Sequence, residues 1–268
     1  MPQEVNNQSL GRRHILVAED VEMNQYLVRH ILESWGFIVD VVSNGLEAIS
    51  MVKQNKYDLV LMDIQMPEMD GIEATLQIRQ LHDPVKASVP VIALTANLLK
   101  GDSDKYLAAG MNDYLAKPLN EQRLFQIISN NLMSAVVPAV DTVMNCKETF
   151  YPACREKLYD LAMVESLSGG DTGFIKRMVQ LFIDTMPASL KELHTATGQQ
   201  QWETVSKLAH KMKATIDSMG IVILKEVIRT IELNGKKGEH VEAIPKMVAQ
   251  VDVMVNQCIA QLKNDFDL

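Results

Sequence analysis

The feature that most limits how this chain can fold is an alternation in its first 133 residues, where short apolar runs are followed by longer amphipathic stretches. The runs at 14–18, 37–42, 58–62, 90–94 and 112–115 are short and mostly β-branched. They lack clean polar alternation, which suits strands of a parallel sheet covered on both faces. Between them the spacing predicts helices near 22–35, 45–54, 71–82, 97–109 and 120–132, with Gly36 and Gly110 as stop signals. Five βα units in succession predict right-handed crossovers and an open doubly wound α/β sheet. Sites on such sheets lie at the carboxyl ends of the strands.

From about residue 158 the strand pattern disappears. Helices are expected at 160–167, 171–196, 201–219, 221–233 and 241–262, separated by Gly169-Gly170, Gly198 and Asn234-Gly235. Short connections between amphipathic helices imply antiparallel neighbours in a bundle. Pro187 should kink or split its helix. The division is therefore a flexible N-terminus at 1–11, an α/β domain at 12–133, a linker at 134–157 containing Pro138 and Pro152, and a helical domain at 158–268. A length of 268 residues suits two domains.

Composition excludes several classes. Residues 1–133 hold 11 Lys+Arg against 17 Asp+Glu, and residues 134–268 hold 15 against 17, so neither part has the basic balance of a nucleic-acid binder. No apolar run approaches the ~18 residues needed to span a bilayer, and the first ten residues lack a signal-peptide pattern. No membrane contact and a cytoplasmic location are expected. Cys146, Cys154 and Cys258 have no CxxC spacing, so reduced thiols are expected.

Chemistry concentrates at the predicted strand ends. Glu19-Asp20 follow the first strand, Asp63 follows the third, Thr95 the fourth and Lys117-Pro118 the fifth. Carboxylates from two strand ends make a hard-oxygen pocket, and Mg²⁺ needs only a few protein oxygens because it keeps several waters. Asp20 and Asp63 are the expected side-chain ligands. The Gln65 backbone carbonyl is a third, with Glu19 acting directly or through water. Phosphoryl transfer needs charge neutralisation and positioning more than acid–base chemistry. Asp63 is the expected nucleophile, Lys117 the positive charge, and Thr95 a hydroxyl donor to the phosphoryl oxygens. Pro118 suggests a cis bond. A haloacid-dehalogenase-type phosphatase would want an aspartate two residues after Asp63, where this chain has Gln65.

A second acceptor is expected on the helix at 201–219. Trp202, Val205, Ala209, Met212, Ile216 and Met219 step by three and four into one apolar stripe. His210 lies roughly 140° from the centre of that stripe, on the expected solvent side. Ala214, one turn on, leaves room for an approaching active site. Lys213 could pair with a phosphoryl group on imidazole, and Asp217 shares the exposed face. A neutral imidazole with one free nitrogen is a competent nucleophile near neutral pH.

The motifs carry two resemblances. Residues 12–133, through Ile15-Leu16-Val17-Ala18-Glu19-Asp20, Met62-Asp63-Ile64-Gln65-Met66-Pro67 and Ala116-Lys117-Pro118, resemble a response-regulator receiver domain of the kind attached to hybrid histidine kinases. That resemblance implies a flavodoxin-like (βα)5 fold and a switch pair of Thr95 with Tyr114. The second part, through Leu181-Phe182-Ile183-Asp184 and Ala209-His210-Lys211-Met212-Lys213, resembles a histidine-containing phosphotransfer (HPt) four-helix bundle, with Ala214 where the family usually has glycine. Together they imply a phosphorelay protein. Its expected partners are a histidine kinase, or its phosphohistidine domain, and a receiver domain docking at His210. The same order of domains closes larger hybrid sensor kinases, and a bundle that docks without accepting phosphate is a further alternative.

Overall fold

The computed structural model describes residues 12–96, 102–133 and 157–268. The expected N-terminal segment 1–11 and the linker, apart from Lys157, lie outside those residues, as does the start of the helix expected from residue 97.

Five strands form one parallel sheet in the order β2-β1-β3-β4-β5. They are β1 (His14–Ala18), β2 (Ile38–Val42), β3 (Leu59–Asp63), β4 (Val91–Thr95) and β5 (Asp113–Ala116). The last four start one residue later than expected. At β3 the cause is local, because the Asp58 carboxylate accepts the His14 backbone N–H at 2.8 Å and so ties off the entry to the strand. The connecting helices are α1 (Glu22–Ser34), α2 (Gly45–Gln54), α3 (Gly71–Arg79), α4 (Pro84–Ala87), α5 (Asp102–Ala108) and α6 (Glu121–Met133). The short α4 was not expected, although Asp83-Pro84 is a start signal, and Asp83 caps the Val85 N–H at 2.9 Å.

Parity divides the strand side chains between two faces. Ile15, Val17, Leu59, Leu61, Ile92 and Leu94 pack beneath α1 and α6. Leu16, Ala18, Val60, Met62, Val91 and Ala93 face α2, α3 and α5. All are buried, which explains why the strands read as continuous apolar runs.

At the amino end of the sheet a single side chain fastens the lower loops. The Arg79 guanidinium donates to the carbonyls of Gly110 (2.8 Å), Ala87 (2.8 Å) and Val89 (2.9 Å) and to Asn112 Oδ1 (3.0 Å). At the other end Gly71 is packed without clearance. A Cβ there would lie 2.1 Å from the Asp63 carbonyl oxygen. Gly71→Ala should therefore destabilise the protein by about 1–3 kcal/mol, the usual cost of overpacking. The measurement is a lower urea midpoint at unchanged slope, and an unshifted midpoint would show that the backbone can yield there.

The second part comprises α7 (Ala162–Leu167), α8 (Thr172–Gly198), α9 (Trp202–Ser218), α10 (Val222–Lys237), a 3-10 turn (Val241–Ala243) and α11 (Ile244–Phe266). Helices α8 to α11 pack as a bundle. Two expected breaks do not occur. Helix α8 runs through Pro187 as one element. Helix α10 runs past Asn234-Gly235 and ends at Gly238, which adopts φ +68°. Gly235 has a packing role instead, since a Cβ there would sit 2.8 Å from the Trp202 carbonyl oxygen. Its missing side chain lets α9 and α10 approach closely. No helix among the described residues is long and apolar enough to cross a membrane.

The two parts share one core. Helix α1 packs on α8 and α9, and Phe174 stacks on Tyr26 and His30 with ring centroids 5.3 and 3.9 Å apart. Phe174 is buried by this contact set.

Candidate functional site

Strand ends gather the first group. Oxygens of Glu19, Asp20 and Asp63 lie within 4.8 Å of one another. The Lys117 ammonium bridges two of these carboxylates, at 2.5 Å from both Glu19 Oε2 and Asp63 Oδ2. Burial alone would lower the Lys117 pKa, and the two carboxylates more than reverse that. Burial pushes Asp63 upward, with Lys117 opposing it and Glu19 adding to it. Burial likewise raises Asp20. The Lys117–Pro118 bond is cis.

Glu19 is fully buried and engaged by the protein itself. Its Oε1 accepts from Asn24 Nδ2 at 3.0 Å and from the Val21 N–H at 3.2 Å. Asp63 Oδ1 accepts the Gln65 N–H at 3.2 Å. Asp20 differs. Its Oδ2 is buried and accepts no aligned hydrogen bond within the described residues, although Lys211 Nζ stands 2.7 Å away at ion-pair distance. The contact is an ion pair between the Lys211 ammonium and the Asp20 carboxylate. A buried carboxylate oxygen lacking an aligned donor, beside two more carboxylates, fits a hard divalent cation.

Thr95 is buried at the end of β4, and its hydroxyl lies 3.1 Å from the Tyr106 hydroxyl. Tyr114, the expected partner, is half-buried on β5 with its ring 6.4 Å from that of Tyr106. Tyr106 was not singled out from sequence. Its signal was an aromatic residue on the helix preceding the fifth strand.

The His210 setting corrects the sequence reading. Rather than facing open solvent, its side chain is only 19% exposed. Nδ1 lies 2.6 Å from Glu232 Oε1, and Lys213 Nζ lies 2.6 Å from Glu232 Oε2. The single-helix projection missed this because Gly235 brings α10 close enough for Glu232 to reach across. Asp217 is likewise turned inward, 3.5 Å from Lys225 and 3.7 Å from Arg229. Ala214 is half-buried. Burial would raise the Glu232 pKa, yet hydrogen bonds from His210 and Lys213 hold it down at about 2. Glu232 is thus an ionised, acceptor-only carboxylate, so Nδ1 of His210 must carry the proton. In the neutral ring the free lone pair is then on Nε2.

One cleft of about 810 Å³ joins the two groups, lined by Asp20, Asp63, Thr95 and Lys117 on one side and by His210 and Lys213 on the other. Of the three cysteines, Cys258 is buried and free, and the others lie outside the described residues.

Comparison with known families matches each of the two parts of the chain. Residues 15–129 match the response regulator receiver domain and residues 177–265 the Hpt domain. The chain therefore carries a receiver domain followed by an Hpt domain. Among its relatives is the signal transduction histidine-protein kinase BarA of Escherichia coli (strain K12), 31% identical over 260 residues and 94% of this chain. Another is the aerobic respiration control sensor protein ArcB of the same strain, 32% identical over 222 residues and 82% of this chain. This chain spans 27% of the length of each. A similar solved structure is the receiver domain of sensor histidine kinase PA1611 from Pseudomonas aeruginosa PAO1, with a magnesium ion coordinated in its active-site cleft. It is 41% identical, covers 46% of this chain and 99% of that one, and has a TM-score of 0.43.

Proposed function

We propose that this chain is a phosphorelay intermediate of two-component signalling, in which Asp63 takes a phosphoryl group from a phosphohistidine and His210 relays phosphate to or from a receiver aspartate. The observation that carries this reading is the pair of acceptor settings, an acidic pocket with a buried lysine around Asp63 and an imidazole whose Nδ1 lies 2.6 Å from Glu232. In the first transfer the donor N–P bond breaks as an Asp63 Oδ–P bond forms. In the second, the O–P bond of a phosphorylated receiver aspartate breaks as Nε2 of His210 forms an N–P bond. The Nδ1 proton stays with Glu232, which balances the positive charge of the phosphorylated ring. Lys117 neutralises the oxygens around Asp63, and the Thr95 hydroxyl, beside Tyr106, donates to the phosphoryl group.

Asp20 and Asp63 would hold Mg²⁺, with the Gln65 carbonyl as a further ligand. Glu19, whose oxygens serve Asn24, Val21 and Lys117, would act through water. Bound there, the ion would offset charge on the transferring phosphoryl oxygens.

The test is transfer of labelled phosphate from a cognate kinase into wild type, Asp63→Asn and His210→Gln, separately and mixed. Label on His210 only when Asp63 is intact supports the order given. Label on His210 of Asp63→Asn alone would assign it to a different donor. Absence of acid-labile phosphate on His210 would make the bundle a docking module. BarA and ArcB are kinases of which this chain spans about a quarter, and this supports a second reading, that it is the receiver–HPt part of a longer hybrid sensor kinase. The size of the native gene product tests that.

Protons should compete with Mg²⁺, because burial raises both Asp20 and Asp63. Calorimetric affinity should therefore increase from about pH 5.5 to about pH 8, by at most about tenfold per unit for each proton displaced. A flat profile would count against these ligands.

A further inference from the structure

A cationic side chain of the Hpt domain reaches the carboxylate that the proposed function gives to a metal. Lys211 follows His210 on α9, and its Nζ lies 2.7 Å from Asp20 Oδ2. That carboxylate is almost completely covered, at 4% exposure, while the lysine stem remains 43% exposed. Among the described residues, Asp20 pairs with no cation of its own domain, and Lys117 is engaged by Glu19 and Asp63. The ammonium therefore stands against the carboxylate oxygen left without a hydrogen-bond partner among the described residues.

The apolar contact beside it gives this placement its geometry. Phe174 of α8 lies flat on His30 and Tyr26 of α1, at interplanar angles of 24° and 15°. That stack sets α9 over the strand ends, and Lys211 is the residue of α9 that descends into the acidic pocket.

We propose that the surface around His210 is occupied by the chain's own receiver, with Lys211 taking the divalent cation's place at Asp20, so that this docked arrangement and Mg²⁺ exclude one another. With Lys211 Nζ 2.7 Å from Oδ2, an ion bound at the same oxygen would meet the ammonium at close range, and the like charges repel in this buried site. Mg²⁺ entry must displace Lys211 and so weaken the hold of α9 on the strand ends. The closed form is the metal-free form, and loading with Mg²⁺ frees His210 and Asp63 to meet their partners. This rests on the metal-site reading above.

The experiment is calorimetric titration of the full chain with MgCl2, comparing wild type, Lys211→Gln and Lys207→Gln. Lys207 lies on the same helix and, among the described residues, pairs with Glu203 at an exposed position. Removing the competitor should tighten Mg²⁺ binding in Lys211→Gln by about tenfold, with Lys207→Gln unchanged. Hydrogen exchange should show α1 losing protection when Mg²⁺ is added to wild type, and a smaller change in Lys211→Gln. Equal or weaker Mg²⁺ affinity in Lys211→Gln would overturn the proposal, as would α1 protection that is unchanged or higher with Mg²⁺. Failure of every variant, wild type included, to bind Mg²⁺ would instead overturn the metal-site reading itself.

Discussion

Asp63→Asn should take up no phosphate from acetyl phosphate or phosphoramidate, while the wild-type chain gains one Mg²⁺-dependent phosphoryl group that is lost in EDTA. The substitution keeps the size of the side chain and removes its nucleophilic, charged oxygen. It also removes one of the two negative partners of Lys117, leaving the lysine paired with Glu19 alone. The chain should still fold, since Asp63 is a buried charge raised by desolvation and a neutral isostere relieves that cost. Intact-mass spectrometry reads the label, and a thermal melt reads the fold. Undiminished labelling of a folded Asp63→Asn protein would move the acceptor elsewhere.

Glu232→Ala should slow phosphoryl uptake by His210 about 100-fold, the lower end of the range for a group that controls a proton in the reacting pair. Without that carboxylate nothing fixes the proton on Nδ1, and Lys213 loses its 2.6 Å partner. Glu232→Gln keeps an acceptor for the Nδ1 proton but not the charge, so it should recover part of the rate. Glu232 also has an acid signature. Its folded pKa, about 2, lies below the ordinary 4.5. The stability it contributes is complete above about pH 4.5 and is lost as pH falls toward 2. The alanine variant should therefore lose less stability than wild type across that interval. Wild-type transfer rates in Glu232→Ala, or identical acid profiles, would leave Glu232 with only a packing role.

Much of this arrangement was legible in the sequence because its causes are local. A parallel strand buried on both faces reads as an apolar run, and the carboxyl-end rule then puts Asp20, Asp63, Thr95 and Lys117 together without further information. The helix expected from residue 45 starts there, where Asn44 Oδ1 receives the Glu47 N–H at 2.8 Å. What remained hidden depends on contacts between elements distant in sequence. Glu232 lies 22 residues beyond His210, on a helix whose approach is set by Gly235, a residue that sequence alone marks as a break. Phe174 and Lys211 acquire their partners only when α8 and α9 meet α1. Projection of one helix cannot show what another helix covers, and so His210 seemed to face solvent.

The Arg79 fastening has a consequence for how this fold can change over generations. Its four hydrogen bonds hold loops at the amino end of the sheet, while each group proposed for chemistry stands at the carboxyl end. Substitutions that retune partner choice near Asp20 or Ala214 therefore leave that anchor intact, and the lineage can explore new signalling pairings from folded starting points. Arg79→Lys, a change that looks conservative, forfeits the planar fork serving those acceptors. Variation should consequently be tolerated least at an arginine remote from the phosphate it helps to make possible.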